Sequence, residues 1–240
     1  MAGNLVSIVM PTYRHSLLLP MSINSILNQT YENIELVIVS VREDKETTNY
    51  LSNAKLDSRI NWIISDVADS CKQINQGITA SKGEYVTFIS SDDYTLPNRI
   101  KAEVRTAEEN EALVVYSPFF IGDENLNIVS RVELHEKMTY DLLTARPSSC
   151  IPDVCLTWKT VYDEFGLLDE TLGNDGGFFW DKWIRVIEKY PDKIVYCPYP
   201  TWIYRQHSQQ TGKRESEEVR SKYMASRLRV LAESRKRAGR

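Results

Sequence analysis

Four short apolar runs rich in β-branched residues fall within the first hundred positions: LVSIVMP, IELVIVSV, INWIIS and EYVTFIS. They are too short for buried helices and show no strict alternation, so they are expected to be strands buried on both faces. Between them the spacing changes. LLLPMSINSILNQ puts Leu19, Ile23, Ile26 and Leu27 at helical intervals, TTNYLSNAK is a short helical stretch, and CKQINQGITAS is a helix closing on Gly83. Strand–helix–strand order repeated in this way implies right-handed crossovers and a mostly parallel sheet. The expected class is α/β, doubly wound, with helices on both faces.

In such sheets ligands bind beyond the C-terminal strand ends. MPTYRH, SVRED, SDVAD and SSDDY all lie at those ends and should gather at one rim. Beyond them, LPNRIKAEVRTAEEN is expected to be a helix starting near its proline, and ALVVYSPFFIGDENLNIVS a hairpin turning at GDEN. LDETLGNDGGFFWDKWIRVIEKYPD contains a Gly-Gly break and then an amphipathic helix through Trp183, Ile184 and Ile187. KIVYCPYPTWIYRQH is a late strand segment. The tail from Glu215 is helical in pattern, with Met224, Leu228 and Leu231 on one side. The division expected is one domain over 1–212 and a basic amphipathic helical tail over 213–240.

Formal charge is −4, without the basic excess of a general nucleic-acid binder. No charged-then-apolar leader and no apolar run near the length of a membrane span is visible. Cys71, Cys150, Cys155 and Cys197 form no C-x-x-C pair, so zinc and a disulfide framework are not expected and a reducing cytoplasm fits.

The sharpest local feature is SSDD, Ser90 to Asp93, at the end of the fourth strand. Adjacent carboxylates repel, and folding alone does not ask for them. They are read either as a solvated turn at a helix start or as a site where a hard divalent cation meets phosphate oxygens.

VSIVMPTYR, GEYVTFISSDDYTLPNRI, FGLLDETLGND, DKWIR and YRQH occur in that order from Val6 to His207. Together they resemble the inverting family 2 glycosyltransferases of the GT-A fold. The resemblance implies a nucleotide-sugar donor, UDP- or dTDP-linked, and a divalent metal, Mn2+ or Mg2+, on its diphosphate. It implies inverting transfer to a glycan or lipid-linked acceptor in surface polysaccharide or glycoconjugate synthesis. It further makes 1–100 the nucleotide-binding half and 101–212 the acceptor-binding half.

Carried over by position, Asp92 is the metal contact and Ser90 replaces the first acid of the Asp-x-Asp signature. Ser91 and Asp93 flank the donor. Pro11, Thr12 and Tyr13 form the turn where the base packs, or else a capped strand-to-helix turn. Ser40-Val41 stand where members often carry two acids, with Glu43 and Asp44 slightly later, and Asp66, Asp69 and Lys72 either compensate or serve as surface and cap residues. Asp175, ahead of Gly176-Gly177, matches the general base, with Asp181 as the alternative. His207 matches a late histidine that contacts metal or diphosphate. Trp180 is expected on the acceptor side. The tail helix either lies on an anionic membrane surface, placing the protein at the inner face of the membrane, or packs on the domain.

Two rivals remain. The missing acids fit a non-catalytic sugar-nucleotide or glycan-binding relative. A sugar-1-phosphate nucleotidyltransferase would need a glycine-rich loop after the first strand, and MPTYRHSLLLP has no glycine.

Overall fold

The computed structural model describes residues 3–145, 151–172, 177–208, 210, 217–237 and 239. The alternation of the first hundred residues produces β1 (Val6–Thr12), α1 (Leu19–Leu27), β2 (Ile34–Val41), α2 (Lys45–Asn53), β3 (Ile60–Ser65), α3 (Ser70–Ala80) and β4 (Tyr85–Phe88). These are followed by β5 (Tyr94–Thr95), α4 (Arg99–Asn110), β6 (Val114–Tyr116), β7 (Phe119–Gly122), β8 (Ile128–Val132), α5 (Tyr140–Thr144), β9 (Leu156–Trp158) and α6 (Thr160–Phe165). A 3-10 turn at Glu170–Leu172, α7 (Gly177–Lys189), β10 (Ile194–Tyr196), β11 (Trp202–Arg205) and α8 (Glu217–Arg237) complete the order.

Seven strands form the main sheet in the order β10-β6-β9-β4-β1-β2-β3. All its pairings are parallel except those of β9, which runs antiparallel between β4 and β6. Period-two alternation divides the core. Ile8, Met10, Leu36 and Ile38 face α1 and α4, against Leu19, Ile23, Ile26, Ile100 and Val104. Val9, Val37 and Val39 face the other way, toward Cys71, Ile74 and Ile78 of α3 and the aromatic side of α7. Gly77 lets α3 sit close on β1: a Cβ there would stand 2.3 Å from Val9 Cγ1.

A second sheet, β5-β11-β7-β8, lies across the rim. The expected hairpin is only partly right. β7 and β8 pair antiparallel around the Asp123–Asn127 turn, but β6 belongs to the main sheet, parallel to β10. The late segment likewise splits into β10 and β11, which serve different sheets.

The tail forms α8, but its buried side is Val230, Leu231 and Ser234, whereas Met224 and Leu228 are about half exposed. The reason is its docking. Ser234 donates to Glu188 on α7 and meets the Tyr140 hydroxyl, and Arg237 pairs with Glu188 at 2.8 Å. Among the described residues no helix is long and apolar enough to cross a membrane.

Candidate active site

The site forms where β4 ends and the second sheet begins. β11 pairs antiparallel with β5 through Trp202–Thr95 and Ile203–Tyr94. Extended past that pairing, β11 brings Arg205 and His207 over Asp93 and Asp92. The Arg205 backbone N–H donates to Asp93 Oδ1 at 3.0 Å, and His207 Nε2 lies 3.0 Å from Asp92 Oδ2.

The turn after β1 approaches from the other neighbour of β4. His15 Nε2 stands 3.8 Å from Asp92 Oδ2, and its Nδ1 lies 3.0 Å from Ser91 Oγ. The two imidazoles meet edge to face, with centroids 5.7 Å apart. Arg14, just before, has φ 60°, a left-handed conformation costly for a residue with a Cβ. Its N–H is held by Asp44 at 2.6 Å, and the His15 carbonyl accepts from Leu18 and Leu19 as α1 begins.

The adjacent acids behave differently. Burial alone would raise Asp92, but the charge of His15, the Ser90 hydroxyl and His207 outweigh it and hold its pKa below the usual carboxylate value. Asp93 is fully enclosed; burial and the charge of Asp92 push its pKa well above the ordinary range. Their surroundings push the two neighbouring pKa values in opposite directions.

His15, Asp92 and His207 offer ligand atoms within 4.8 Å of one another, and they are the metal-capable cluster found among the described residues. Asp92 Oδ1 is buried with no hydrogen-bond partner. A buried carboxylate oxygen left open beside two imidazoles fits a divalent ion.

The base-binding candidates lie along the same rim. The Tyr13 hydroxyl donates to Glu43 Oε1 at 2.6 Å, and that bond is the main reason its pKa is raised. Arg14 lies over the Tyr13 ring, 4.8 Å from its centroid. Thr12 is buried at the end of β1, and its hydroxyl has no hydrogen-bond partner. Pro11 is half-buried beside it. Ser40, in the slot of the missing acid, accepts from the Trp62 indole at 2.8 Å. Asp66 is exposed and pairs with Arg42, whereas Asp69 caps α3 by accepting from the Lys72 backbone N–H. The structure thus joins Tyr13 with Glu43, and Ser91, Asp92 and His207 with His15; among the described residues Asp66 pairs with Arg42 and Lys72 with Asp69 rather than with either group.

Trp180 is a correction. It is 1% exposed, and its indole N–H donates to the Leu143 carbonyl, so it presents no face to an acceptor. Phe178, Phe179 and Trp202 are buried as well. Asp175 lies outside the described residues. Asp181 is buried in an ion pair with Arg185 Nε at 3.0 Å, and burial raises its pKa.

Sequence reasoning passed over His15 and Arg205. His15 sits two residues after Tyr13, so the signal available was a second imidazole just after the turn that ends β1.

The model of the family described as "Glycosyl transferase family 2" matches residues 7–166. The chain belongs to glycosyl transferase family 2. An uncharacterised glycosyltransferase of Rickettsia typhi is 28% identical over 200 residues, covering 80% of this chain and 62% of that protein. The O-antigen biosynthesis glycosyltransferase WbnJ of Escherichia coli is 24% identical, covering 88% of this chain and 83% of WbnJ. Among solved structures, S. aureus TarS 1-349 in complex with UDP-GlcNAc superimposes with a TM-score of 0.73 at 14% identity, over 96% of this chain and 66% of that one. The fold is therefore of the GT-A type. The chain spans about three fifths of the length of the Rickettsia typhi and Rickettsia prowazekii relatives and 17–36% of the other Rickettsia relatives it matches.

Proposed function

We propose that this family 2 chain is an inverting, metal-dependent glycosyltransferase that moves a sugar from a UDP- or dTDP-sugar to an acceptor hydroxyl in surface-glycan synthesis. One observation carries the reading: an ionised, partly open Asp92 between two imidazoles, at the strand-end rim that also bears the Tyr13–Glu43 pair. Asp92 and His207 would hold the ion, which when bound neutralises charge on the departing diphosphate.

The Tyr13 ring offers a face for the base, and Glu43 fixes its tilt through the hydroxyl. Asp93 holds β11 over the site through the Arg205 N–H, and Ser91 steadies the adjoining imidazole. Proton removal from the acceptor falls to Asp175, on the evidence of its place before Gly176-Gly177. Asp181 is less suited because Arg185 already occupies it. In this reading residues 1–100 bind the nucleotide, 101–212 bind the acceptor, and α8 of the tail packs on α7. The neighbour structure with UDP-GlcNAc and the O-antigen relative support the donor class and the glycan product.

The test is calorimetric titration with UDP-sugars and dTDP-sugars with and without Mn2+, alongside donor hydrolysis. Metal-dependent binding by the wild-type chain and its loss in Asp92→Ala are expected; unchanged affinity in Asp92→Ala would remove the reading. A second reading, a non-catalytic sugar-nucleotide binder, is favoured by Ser40 being committed to Trp62 in the slot of a missing acid. Donor binding without any hydrolysis or transfer would select it.

A further inference from the structure

The donor set around Asp92 differs from that of an oxygen-lined magnesium centre. Ser90 replaces one carboxylate, and Asp93 is turned to the Arg205 backbone N–H, so Asp92 is the single carboxylate of the cluster. What the turn after β1 supplies instead is an imidazole. His15 is one of the three histidines in the chain, and its ring is only 15% exposed.

Its presentation is fixed from both ends. The left-handed Arg14 and the carbonyl bonds to Leu18 and Leu19 set the backbone. Ser91 Oγ, itself buried, meets Nδ1. With the Ser91 hydroxyl accepting from Nδ1–H, a cation that displaces the Nε2 proton would find the Nε2 lone pair directed to it, which is how metal-binding histidines are commonly oriented. Spacing agrees: bonds of about 2.1 Å to nitrogen put neighbouring ligand atoms roughly 3 Å apart. The Asp92–His207 pair is already at 3.0 Å, and His15 stands at 3.8 Å.

We infer that His15 is a third metal ligand in place of the acid missing at Ser90, and that the resulting face of two imidazoles and one carboxylate takes Mn2+ or Co2+ in preference to Mg2+. Imidazole suits borderline transition ions, whereas Mg2+ favours oxygen and retains its water. The inference rests on the reading above only in requiring a divalent ion at Asp92; it does not depend on which sugar is carried.

The test titrates the full chain with MnCl2, CoCl2 and MgCl2 alone by calorimetry, and counts directly bound imidazole nitrogens by pulsed electron paramagnetic resonance of the Mn2+ form. Mn2+ and Co2+ should bind at least about tenfold more tightly than Mg2+. The wild-type Mn2+ signal should report two imidazoles, and His15→Ala only one. His15→Ala should also weaken Mn2+ by roughly tenfold or more. His15→Gln, which keeps the bulk, should lose the same nitrogen and narrow the gap to Mg2+. A single imidazole in the wild type, equal affinity for Mg2+, or wild-type Mn2+ binding in both His15 variants would overturn the inference. If Mn2+ binding fell only in Asp92→Ala and His207→Ala while UDP-sugar still bound, His15 would be excluded and the donor reading would stand. A two-nitrogen Mn2+ signal with no UDP-sugar binding would uphold the metal face and remove the donor reading.

Discussion

Helix α4 carries two Arg–Glu pairs of identical i,i+4 geometry in opposite surroundings. Arg99 and Glu103 are 0% exposed and 3.2 Å apart, whereas Arg105 and Glu109 are 76% and 57% exposed at 2.7 Å. The buried pair is a strut under the site. Arg99 donates to the Thr87 hydroxyl and the Phe88 carbonyl at the end of β4, while Glu103 accepts from Thr201 at 3.0 Å and Ser117 at 3.3 Å. Removing the arginine leaves a carboxylate enclosed without its counter-charge, which costs about 3–5 kcal/mol. At about 2–4 °C per kcal/mol for a chain of this size, Arg99→Met should lower Tm by about 6–20 °C. Arg105→Met, made in the same helix, should leave Tm unchanged, because exposed pairs contribute little. Thermal and urea unfolding followed by circular dichroism measure both. Arg99→Met/Glu103→Leu should recover part of the loss, since no charge is then stranded, though Thr201 and Ser117 lose an acceptor. If Arg99→Met behaved like Arg105→Met, or if the double variant were as unstable as the sum of the singles, burial would not be what distinguishes these pairs.

Asp175→Asn should leave donor affinity intact while transfer falls by about 10²-fold or more, measured as product formed at saturating donor; full turnover would move the proton acceptor to Asp181. Gly77→Ala should destabilise by about 1–3 kcal/mol through the Val9 clash, against a gain of at most ~1 kcal/mol in helix propensity. Val9→Ala in the same background should restore part of that, read by urea unfolding. Lys182 is buried, donates to the Phe165, Gly166 and Leu167 carbonyls, and has its pKa pulled down to about 7 by burial and then by Arg185. Above that value the unfolded chain holds the proton that the native chain has released, so stability should rise with pH from about 7 to about 10, at no more than about 1.4 kcal/mol per pH unit. Lys182→Met should flatten that rise; an unchanged slope would mean that the native ammonium keeps its proton.

The central strands were legible because both their faces are covered, which makes the whole run apolar regardless of register. β3 departs for the same reason reversed: it is the edge of the main sheet, so most of INWIIS is only partly buried. Pairing choices were not legible. Ser117-Pro118 lies inside one continuous apolar stretch, and nothing in its periodicity says that the chain changes sheets there. Trp180 was misjudged because an exposed aromatic stripe and a fully enclosed one have the same spacing; the difference comes from α5 and α8 closing over α7. His15 was invisible for a related reason. No sequence interval relates it to Asp92, and only the parallel pairing of β1 with β4 sets their strand ends side by side.

Two acids in a row at a buried strand end look like an unfavourable arrangement until each is followed outward. Asp93 points into the protein, where burial raises its pKa, and its acceptor oxygen pins β11 through the Arg205 N–H. That bond brings His207 onto Asp92, and His207 together with His15 keeps Asp92 ionised. The repulsion that made SSDD conspicuous is thus relieved by division of labour. Asp93 is a fastening for the second sheet, and Asp92 is left facing a cluster of nitrogen donors. An amide at position 93 would accept the same backbone hydrogen bond without bringing a carboxyl into the interior, whereas one at position 92 would strip the cluster of its only carboxylate. The two neighbours should therefore differ in what a single-atom change does to them: Asp93→Asn is expected to keep the wild-type unfolding curve, and Asp92→Asn to lose Mn2+ binding in a calorimetric titration.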